Sequence, residues 1–224
     1  MRPQFHNQMG PMSNTPIEDW EDYYKKTGAR PPRETLLFAL DCFDRETSPD
    51  SRRFAIDLGS GNGRDTVELL RRGWQVLAVD AEESAIEGLN AREDLPRDAQ
   101  LQTSVGRFEA MEFPDCDLVN SSFALPLVAG PDFPDLWDRL LAAVREGGRI
   151  SCQLYGDRDS WVGRPGITFF TKSGIDALLE PLDVEFFREE EEDSVTPRGH
   201  QKHWHIFHIV VRKPGTSGAP PRSF

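Results

Sequence analysis

The sequence contains little cysteine and no long hydrophobic run. Its three cysteines are Cys42, Cys116 and Cys152, and their wide spacing argues against a disulfide framework or a zinc ribbon, since both need closely paired cysteines. No stretch approaches the roughly 20 apolar residues that cross a bilayer. The N-terminus also lacks the apolar run of a signal peptide. These absences predict a cytoplasmic protein without a membrane partner.

Positive charge is also scarce. The chain has 26 Lys and Arg against 38 Asp and Glu, a net charge of -12, and its densest charge run, residues 188–193, is acidic. Such a chain repels a phosphate backbone on average, so nucleic acid is not expected as a partner. The 224 residues suffice for one domain with a sizeable core. We expect a monomer that acts on a small molecule.

Short apolar runs alternate with helical patterns along most of the chain. Strands are predicted at 54–58, 75–80, 101–105, from 117 and at 150–155, and helices at 64–72, 82–91, around 136–144 and at 172–179. This alternation is typical of a mostly parallel sheet covered on both faces. Two final strands, at 184–187 and 204–211, have no helix between them and predict an antiparallel hairpin at one edge. The expected fold is a single doubly wound, Rossmann-like α/β domain with a seven-stranded sheet.

The ends of the chain differ in composition from this core. Residues 1–15 are predicted to be a disordered leader, and the residues from 214 to 224, rich in Pro, Gly and Ser, a disordered tail. The domain therefore spans residues 16–213. Within it, residues 16–45 are expected to form N-terminal cap helices, the first opened by the capping box at residues 15–18.

The glycine-rich segment Asp57-Leu58-Gly59-Ser60-Gly61-Asn62-Gly63 follows a predicted strand and opens a helix. In an open α/β sheet, ligands bind at such a turn, beyond the carboxyl ends of the strands. The dinucleotide fingerprint needs glycine or alanine three positions after its second glycine, where this chain has Arg64. No Gly-Lys-Ser/Thr follows, so a P-loop is excluded. A nicotinamide-dependent oxidoreductase stays open as an alternative.

The same segment resembles the first motif of the class I S-adenosylmethionine-dependent methyltransferases, an acid followed by G-x-G-x-G, at Asp57, Gly59, Gly61 and Gly63. The second motif of that family is an acid that ends the next strand, matched by Asp80. Residues 146–150 resemble the P-G-G turn before the fifth strand, with glutamate in place of the proline. The resemblance implies S-adenosyl-L-methionine as cofactor and methyl transfer as activity. A non-catalytic module that binds this cofactor is a further alternative.

The resemblance also implies which residues bind the cofactor. Asp57 corresponds to the residue that holds the turn and the amino group, and Asp80 to the one that binds the ribose. Arg107 stands where many relatives have aspartate, so Phe108 is expected to stack on the adenine instead. The full set of implied cofactor-binding residues is Tyr24, Arg30, Asp57, Gly59, Ser60, Gly61, Asp80, Ala81, Phe108, Glu109 and Asn120.

The N-terminal segment 20–32 resembles the tellurite-resistance and thiopurine-type branch of the family, whose N-terminal helix closes over the cofactor. Tyr24 would then lie against the sulfonium, and Arg30 would pair with the carboxylate. Simple docking of the helix explains the same aromatic residues. The segment 120–123 reads Asn-Ser-Ser-Phe and departs from the N/D-P-P-Y of enzymes that methylate nucleobase or glutamine amides. A small-molecule acceptor is therefore expected.

Four histidines near the C-terminus remain: His200, His203, His205 and His208. His203 and His205 share one face of a strand, but zinc needs three or four ligands. We interpret them as residues of an exposed edge strand that hydrogen-bond locally, and expect no metal. A role of these histidines in the substrate pocket stays open as an alternative. The sequence assigns no general base and no catalytic residue.

Overall fold

The computed structural model describes residues 30–46, 52–195, 199 and 201–215. Its helices are α1 Glu34–Glu46, α2 Thr66–Arg71, α3 Glu83–Asn90, α4 Phe133–Ala143 and α5 Lys172–Leu179. Its strands are β1 Phe54–Leu58, β2 Gln75–Asp80, β3 Gln100–Val105, β4 Cys116–Ser121, β5 Val144–Gly156, β6 Phe169–Phe170, β7 Asp183–Val195 and β8 Gln201–Arg212. The predicted leader, the first cap helix and most of the predicted tail lie outside the described residues.

The strands form one sheet in the order β3-β2-β1-β4-β5-β8-β7, and the two-residue β6 pairs with β5 outside this path. The first five strands are parallel, and β8 runs antiparallel to both β5 and β7. This confirms the predicted doubly wound α/β fold with an antiparallel edge hairpin. The strand order reverses between β1 and β4, which opens a crevice at their carboxyl ends.

Helices cover both faces of the sheet because successive strand residues point to opposite sides. One face packs Ile56 and Leu58 of β1 against α4 and α5. The other face packs Ala55 of β1 against the helices α1, α2 and α3. Within α1, Leu36 and Leu40 recur at helical spacing and are buried on that second face. None of the helices in the described part of the chain is long and apolar enough to cross a membrane.

The final two strands differ from their prediction. They extend over 183–195 and 201–212, and β8 lies inside the sheet between β5 and β7. The interpretation of the histidine segment as an exposed edge strand is therefore wrong: His205 is 0% exposed and His208 8%. β7 lies at the edge of the sheet. The sequence prediction ended this strand too early because an edge strand tolerates charged side chains, and residues 188–193 are charged.

Candidate functional site

The glycine turn joins β1 to α2 at the crevice. Gly59, Gly61 and Gly63 have φ angles of 70°, 54° and 90°, a region that favours glycine. The amide of Gly59 donates to the carbonyl of Val79 at 2.8 Å, which ties the turn to the end of β2. A Cβ atom on Gly59 would lie 2.2 Å from the Cβ of Ala124. The first glycine is therefore required both by its backbone angle and by close packing.

Asp80 ends β2 directly beside this turn and is buried. Its Oδ2 accepts a hydrogen bond from the amide of Gly61 at 2.8 Å, and its Oδ1 accepts one from the amide of Glu82 at 3.0 Å. The two backbone donors fix the direction of the carboxylate. The structure thus brings the acid of the second motif against the glycine turn of the first, as the sequence predicts.

Two buried carboxylates lie on the other side of the turn. Asp57 at the end of β1 is 1% exposed, and Asp65 before α2 is 3% exposed. The side-chain amide of Asn120 bridges them, since its Nδ2 donates to Asp57 Oδ1 at 2.9 Å and to Asp65 Oδ2 at 3.3 Å. Thr66 Oγ1 donates to Asp57 Oδ2 at 2.5 Å, and Ser122 Oγ donates to Asp65. Asp57, Asp65 and Asn120 therefore form one buried polar network that links β1, β4 and the start of α2.

This enclosure changes the acidity of Asp57. Burial raises the pKa of Asp57 to about 7, and the neighbouring charge of Asp65 acts in the same direction. Hydrogen bonds from Thr66 and Asn120 favour the ionised form and oppose the rise. Asp57 therefore titrates near neutral pH in the folded protein.

Replacing Asp57 with asparagine is expected to remove a pH dependence from the stability of the protein. The pKa of Asp57 is raised, so its favourable contribution is complete below the unfolded value of about 3.9 and is lost as the pH rises through about 7. The slope in that window is at most about 1.4 kcal/mol per pH unit. Urea unfolding of both proteins at about pH 5 and about pH 8 measures it. A difference between wild type and Asp57→Asn that is equal at both pH values would contradict the assignment.

The other residues that the sequence analysis assigned to the cofactor differ in burial and in their distance from the glycine turn. Phe108 follows β3 on a 3₁₀ turn, and its Cζ lies 3.6 Å from the Cβ position of Gly59. Glu109 accepts a hydrogen bond from Arg107 at 2.7 Å. Ala81 and Arg30 are exposed, and Tyr24 lies outside the described residues. Ser60 is buried within the turn.

Sequence reasoning missed Phe123 in the loop after β4. Phe123 has a φ of 62°, the single positive value of a non-glycine residue in the described ranges. Its ring centroid lies 6.1 Å from that of Tyr155 and 6.3 Å from that of His208, and the guanidinium of Arg33 lies 4.5 Å over it. A non-glycine residue held at positive φ is a strained position, and strain of this kind clusters at binding sites.

The histidines of β8 pair with the acidic residues of β7. His205 Nε2 lies 2.9 Å from Glu189 Oε1, and His203 Nδ1 lies 2.8 Å from Asp193 Oδ1. Hydrogen bonds to Asp193 and Glu191 raise the pKa of the exposed His203. His200 lies outside the described residues. Among the described residues, no group of three or more His, Cys, Asp or Glu side chains is arranged to hold a metal ion.

Several solved structures share this fold. TehB from Haemophilus influenzae aligns with a TM-score of 0.70 and 17% identity, covering 87% of this chain and 67% of that one. NodS from Bradyrhizobium japonicum, an N-methyltransferase in complex with S-adenosyl-L-homocysteine, aligns at 0.62 and 15%, covering 81% and 85%. Magnesium protoporphyrin IX methyltransferase from Synechocystis, with bound S-adenosylmethionine, aligns at 0.57 and 14%, covering 91% and 87%. At these identities the likeness shows the fold.

The comparison with protein families concerns the segment that contains the candidate site. Residues 55–148 match the family model described as a methyltransferase domain, a segment that contains the glycine turn, Asp80 and Asn120. A search of curated proteins found no match. The family match favours methyl transfer over the nicotinamide-dependent alternative. Residues 55–148 are therefore similar to a methyltransferase domain, and the described part of the chain shares the fold of solved methyltransferases.

Proposed function

We propose that this protein transfers a methyl group from S-adenosylmethionine to a small-molecule acceptor, in the manner of the tellurite-resistance branch. The observation that carries the proposal is the placement of Asp80 against the glycine turn at the point where the strand order reverses. Ligands of open α/β sheets bind at that point. The donor supplies an activated methyl group, and the protein supplies positioning, which alone lowers a reaction barrier by several kcal/mol.

The residues around the turn fit the cofactor that the family uses. The close contact between Gly59 and Ala124 leaves no room for a side chain on the turn, so the bare backbone of Gly59 packs against the loop after β4. Asp80 is the residue proposed to bind the ribose hydroxyls, since a carboxylate accepts hydrogen bonds from both. Asp57 is proposed to receive the cofactor's amino group, and Phe108 to contact the adenine.

Three features support a small acceptor. The net charge of -12 disfavours nucleic acid. Phe123, Tyr155 and Trp161 belong to an aromatic cluster at the carboxyl end of β5, close to the end of β4. Such apolar walls with few polar groups are typical of small-molecule sites. One similar structure is named for methyl transfer to magnesium protoporphyrin IX, which is itself a small molecule. The resemblance to the tellurite-resistance branch and the structural likeness to TehB support that branch.

Asp80→Ala is expected to weaken S-adenosylmethionine binding at least tenfold, because it removes the proposed acceptor of two ribose hydrogen bonds (about 1–3 kcal/mol for hydrogen bonds to a charged group). Isothermal titration calorimetry measures the affinity directly. Asp117→Ala is the matched control: Asp117 also accepts a backbone hydrogen bond, from Phe54 at 2.8 Å, but at the opposite end of the sheet. Equal affinities for Asp80→Ala and Asp117→Ala would contradict the proposed ribose contact.

The acceptor is tested by measuring release of S-adenosylhomocysteine over a panel of thiols, amines, carboxylates and oxyanions, tellurite among them. Turnover of at least one small molecule is expected. Wild-type protein that fails to bind S-adenosylmethionine would overturn the proposal. Tight binding without turnover of any acceptor would instead support a non-catalytic cofactor-binding module.

A further inference from the structure

A buried polar pair lies beyond the end of β4. Gln153 of β5 and His208 of β8 are direct cross-strand partners and are 1% and 8% exposed. The last paired residue of β4 is Ser121, opposite Cys152, so Gln153 stands one residue past the point where β4 leaves the sheet. Cross-strand partners have Cβ atoms about 5 Å apart. The side chains of Gln153 and His208 therefore lie next to the position where β4 no longer pairs with β5.

Gln153 has an unsatisfied acceptor in this place. Its Nε2 donates to Thr35 Oγ1 of α1 at 2.7 Å, but its buried Oε1 has no hydrogen-bond partner within the described part of the chain. The opposite orientation of the amide would leave the nitrogen without a partner instead. A buried polar atom without a partner costs about 1–3 kcal/mol, and such atoms in native proteins are often completed by a ligand. The amide of Gln153 therefore points to a polar ligand group at this position.

His208 is oriented so that one ring nitrogen retains its lone pair. Its Nε2 lies 3.1 Å from Glu190 Oε2. An ionised carboxylate only accepts hydrogen bonds, so Nε2 carries the proton and Nδ1 keeps the lone pair. Nδ1 makes no hydrogen bond to any described residue. This is the arrangement in which a carboxylate orients a histidine that acts as a base.

The groups around His208 keep it neutral. Burial lowers the pKa of His208, and the positive charge of Arg188 on β7 acts in the same direction. Glu190 on β7 and Glu34 on α1 act against this change. The neighbours from β5 and from the loop after β4 are Gln153 and Phe123, which carry no charge. A neutral imidazole is the form that takes up a proton.

The position of His208 suits an acceptor that lies next to the methyl donor. Asn120, at the end of β4, contacts Asp57 of the cofactor turn. β8 lies two strands beyond β4, a lateral distance of about 10 Å. The ring of Phe123, in the loop after β4, lies 6.3 Å from the ring of His208. The reacting atom of an acceptor bound in this interval would face both the cofactor end and His208.

Building on the methyl transfer proposed above, we propose that His208 is the general base of the reaction and that the Gln153 amide orients the acceptor. The lone pair of the acceptor's nitrogen, oxygen or sulfur forms the new bond to the methyl carbon, and the electron pair of the broken S–CH₃ bond stays on sulfur. The acceptor's proton moves to Nδ1 of His208 and from there to solvent. The acceptor is accordingly an amine, a hydroxyl compound or a thiol that bears a proton, in contrast to a fully deprotonated oxyanion.

The first test needs neither acceptor nor cofactor. ¹⁵N NMR of the histidine-labelled protein is expected to show His208 at neutral pH with Nε2 protonated and Nδ1 unprotonated, and Glu190→Gln is expected to disturb that preference. A doubly protonated ring, or a proton on Nδ1, would overturn the proposal. This readout is independent of the proposed function, which is tested by S-adenosylmethionine binding together with turnover of the acceptor panel.

The second test uses release of S-adenosylhomocysteine with primary amines, phenols and thiols as probes. A tertiary amine and a thioether are the comparison, because their attacking atoms carry no proton. His208→Gln is expected to lower kcat at least 100-fold and to flatten its pH profile, with cofactor affinity within twofold of wild type. His203→Gln, an exposed histidine on the same strand, is the control and keeps the wild-type rate. A wild-type rate and profile in His208→Gln would overturn the proposal. Turnover confined to the tertiary amine or the thioether would also overturn it, as would no turnover of any probe by protein that binds the cofactor.

Discussion

Gly59→Ala is expected to weaken S-adenosylmethionine binding about 100-fold and to lower the free energy of unfolding. The φ of 70° at Gly59 strains any residue with a Cβ, at about 1–2 kcal/mol. The new Cβ would also lie 2.2 Å from that of Ala124, so the loop after β4 must move away from the turn, and overpacking of this kind costs about 1–3 kcal/mol. If about 3 kcal/mol of this free energy is lost from the cofactor complex, the affinity for S-adenosylmethionine falls about 100-fold.

Gly73→Ala is the control that separates the effect of backbone strain from the effect of close packing. Gly73 has a similar φ of 80°, but a Cβ there would meet no atom within 4 Å. The control variant is thus strained in its backbone and leaves the crevice intact. Urea unfolding is expected to show a loss of stability in both variants, larger in Gly59→Ala because overpacking adds to the strain. Calorimetry is expected to show a loss of affinity in Gly59→Ala alone. Affinities within threefold of each other would show that the close packing of the turn has no part in binding.

The parts of the fold that the sequence predicted are those fixed by local rules. The helix predicted at 172–179 has the observed bounds of α5, because Thr171 caps it by accepting a hydrogen bond from the Gly174 amide at 3.0 Å. β1 and β2 are largely buried on both faces, so apolar residues occupy consecutive positions in them, at 54–56 and 76–79. The turn between β1 and α2 is evident from its glycines, and Asp80 from its place at the end of the next strand.

The missed parts depend on contacts between distant segments. Asp65 stands at the N-cap position of α2, where an aspartate is ordinarily a solvated cap, yet its side chain makes no cap hydrogen bond. It turns inward because Asn120, 55 residues later, donates to it. Likewise, the sequence gives no sign that the acidic residues of β7 face the histidines of β8. That pairing exists only in the assembled hairpin, and it is what places Glu190 next to His208.

Asp159→Ala is expected to destabilise the protein by about 3–5 kcal/mol, the usual cost of leaving one partner of a buried ion pair alone. Lys202 and Asp159 form an ion pair whose side chains are 1% and 0% exposed. Asp159 also accepts hydrogen bonds from the amides of Trp161 at 2.8 Å and His205 at 3.3 Å. The substitution therefore leaves a buried ammonium and two backbone amides without their acceptor at the carboxyl end of β5.

The aromatic rings around Lys202 offset only part of this loss. Its ammonium lies 3.9 Å from the ring centroid of Trp161 and 4.1 Å from that of Trp204, and a cation–π contact contributes about 0.5–2 kcal/mol. Burial already lowers the pKa of Lys202. Without Asp159 the lysine is driven further toward its neutral form, so the destabilisation should be larger at about pH 7 than at about pH 10.

Urea unfolding at both pH values measures the effect, with Asp94→Ala as the control because Asp94 pairs with Arg71 at the surface and such pairs contribute about 0–1 kcal/mol. The double variant Lys202→Met/Asp159→Asn should recover most of the stability, since apolar replacement of a buried ion pair is often neutral. Equal losses in Asp159→Ala and Asp94→Ala would refute the buried pair. A large loss in Asp159→Ala that the double variant repairs would show that the cost comes from the unpaired buried ammonium of Lys202, next to the aromatic rings that form one wall of the proposed acceptor site.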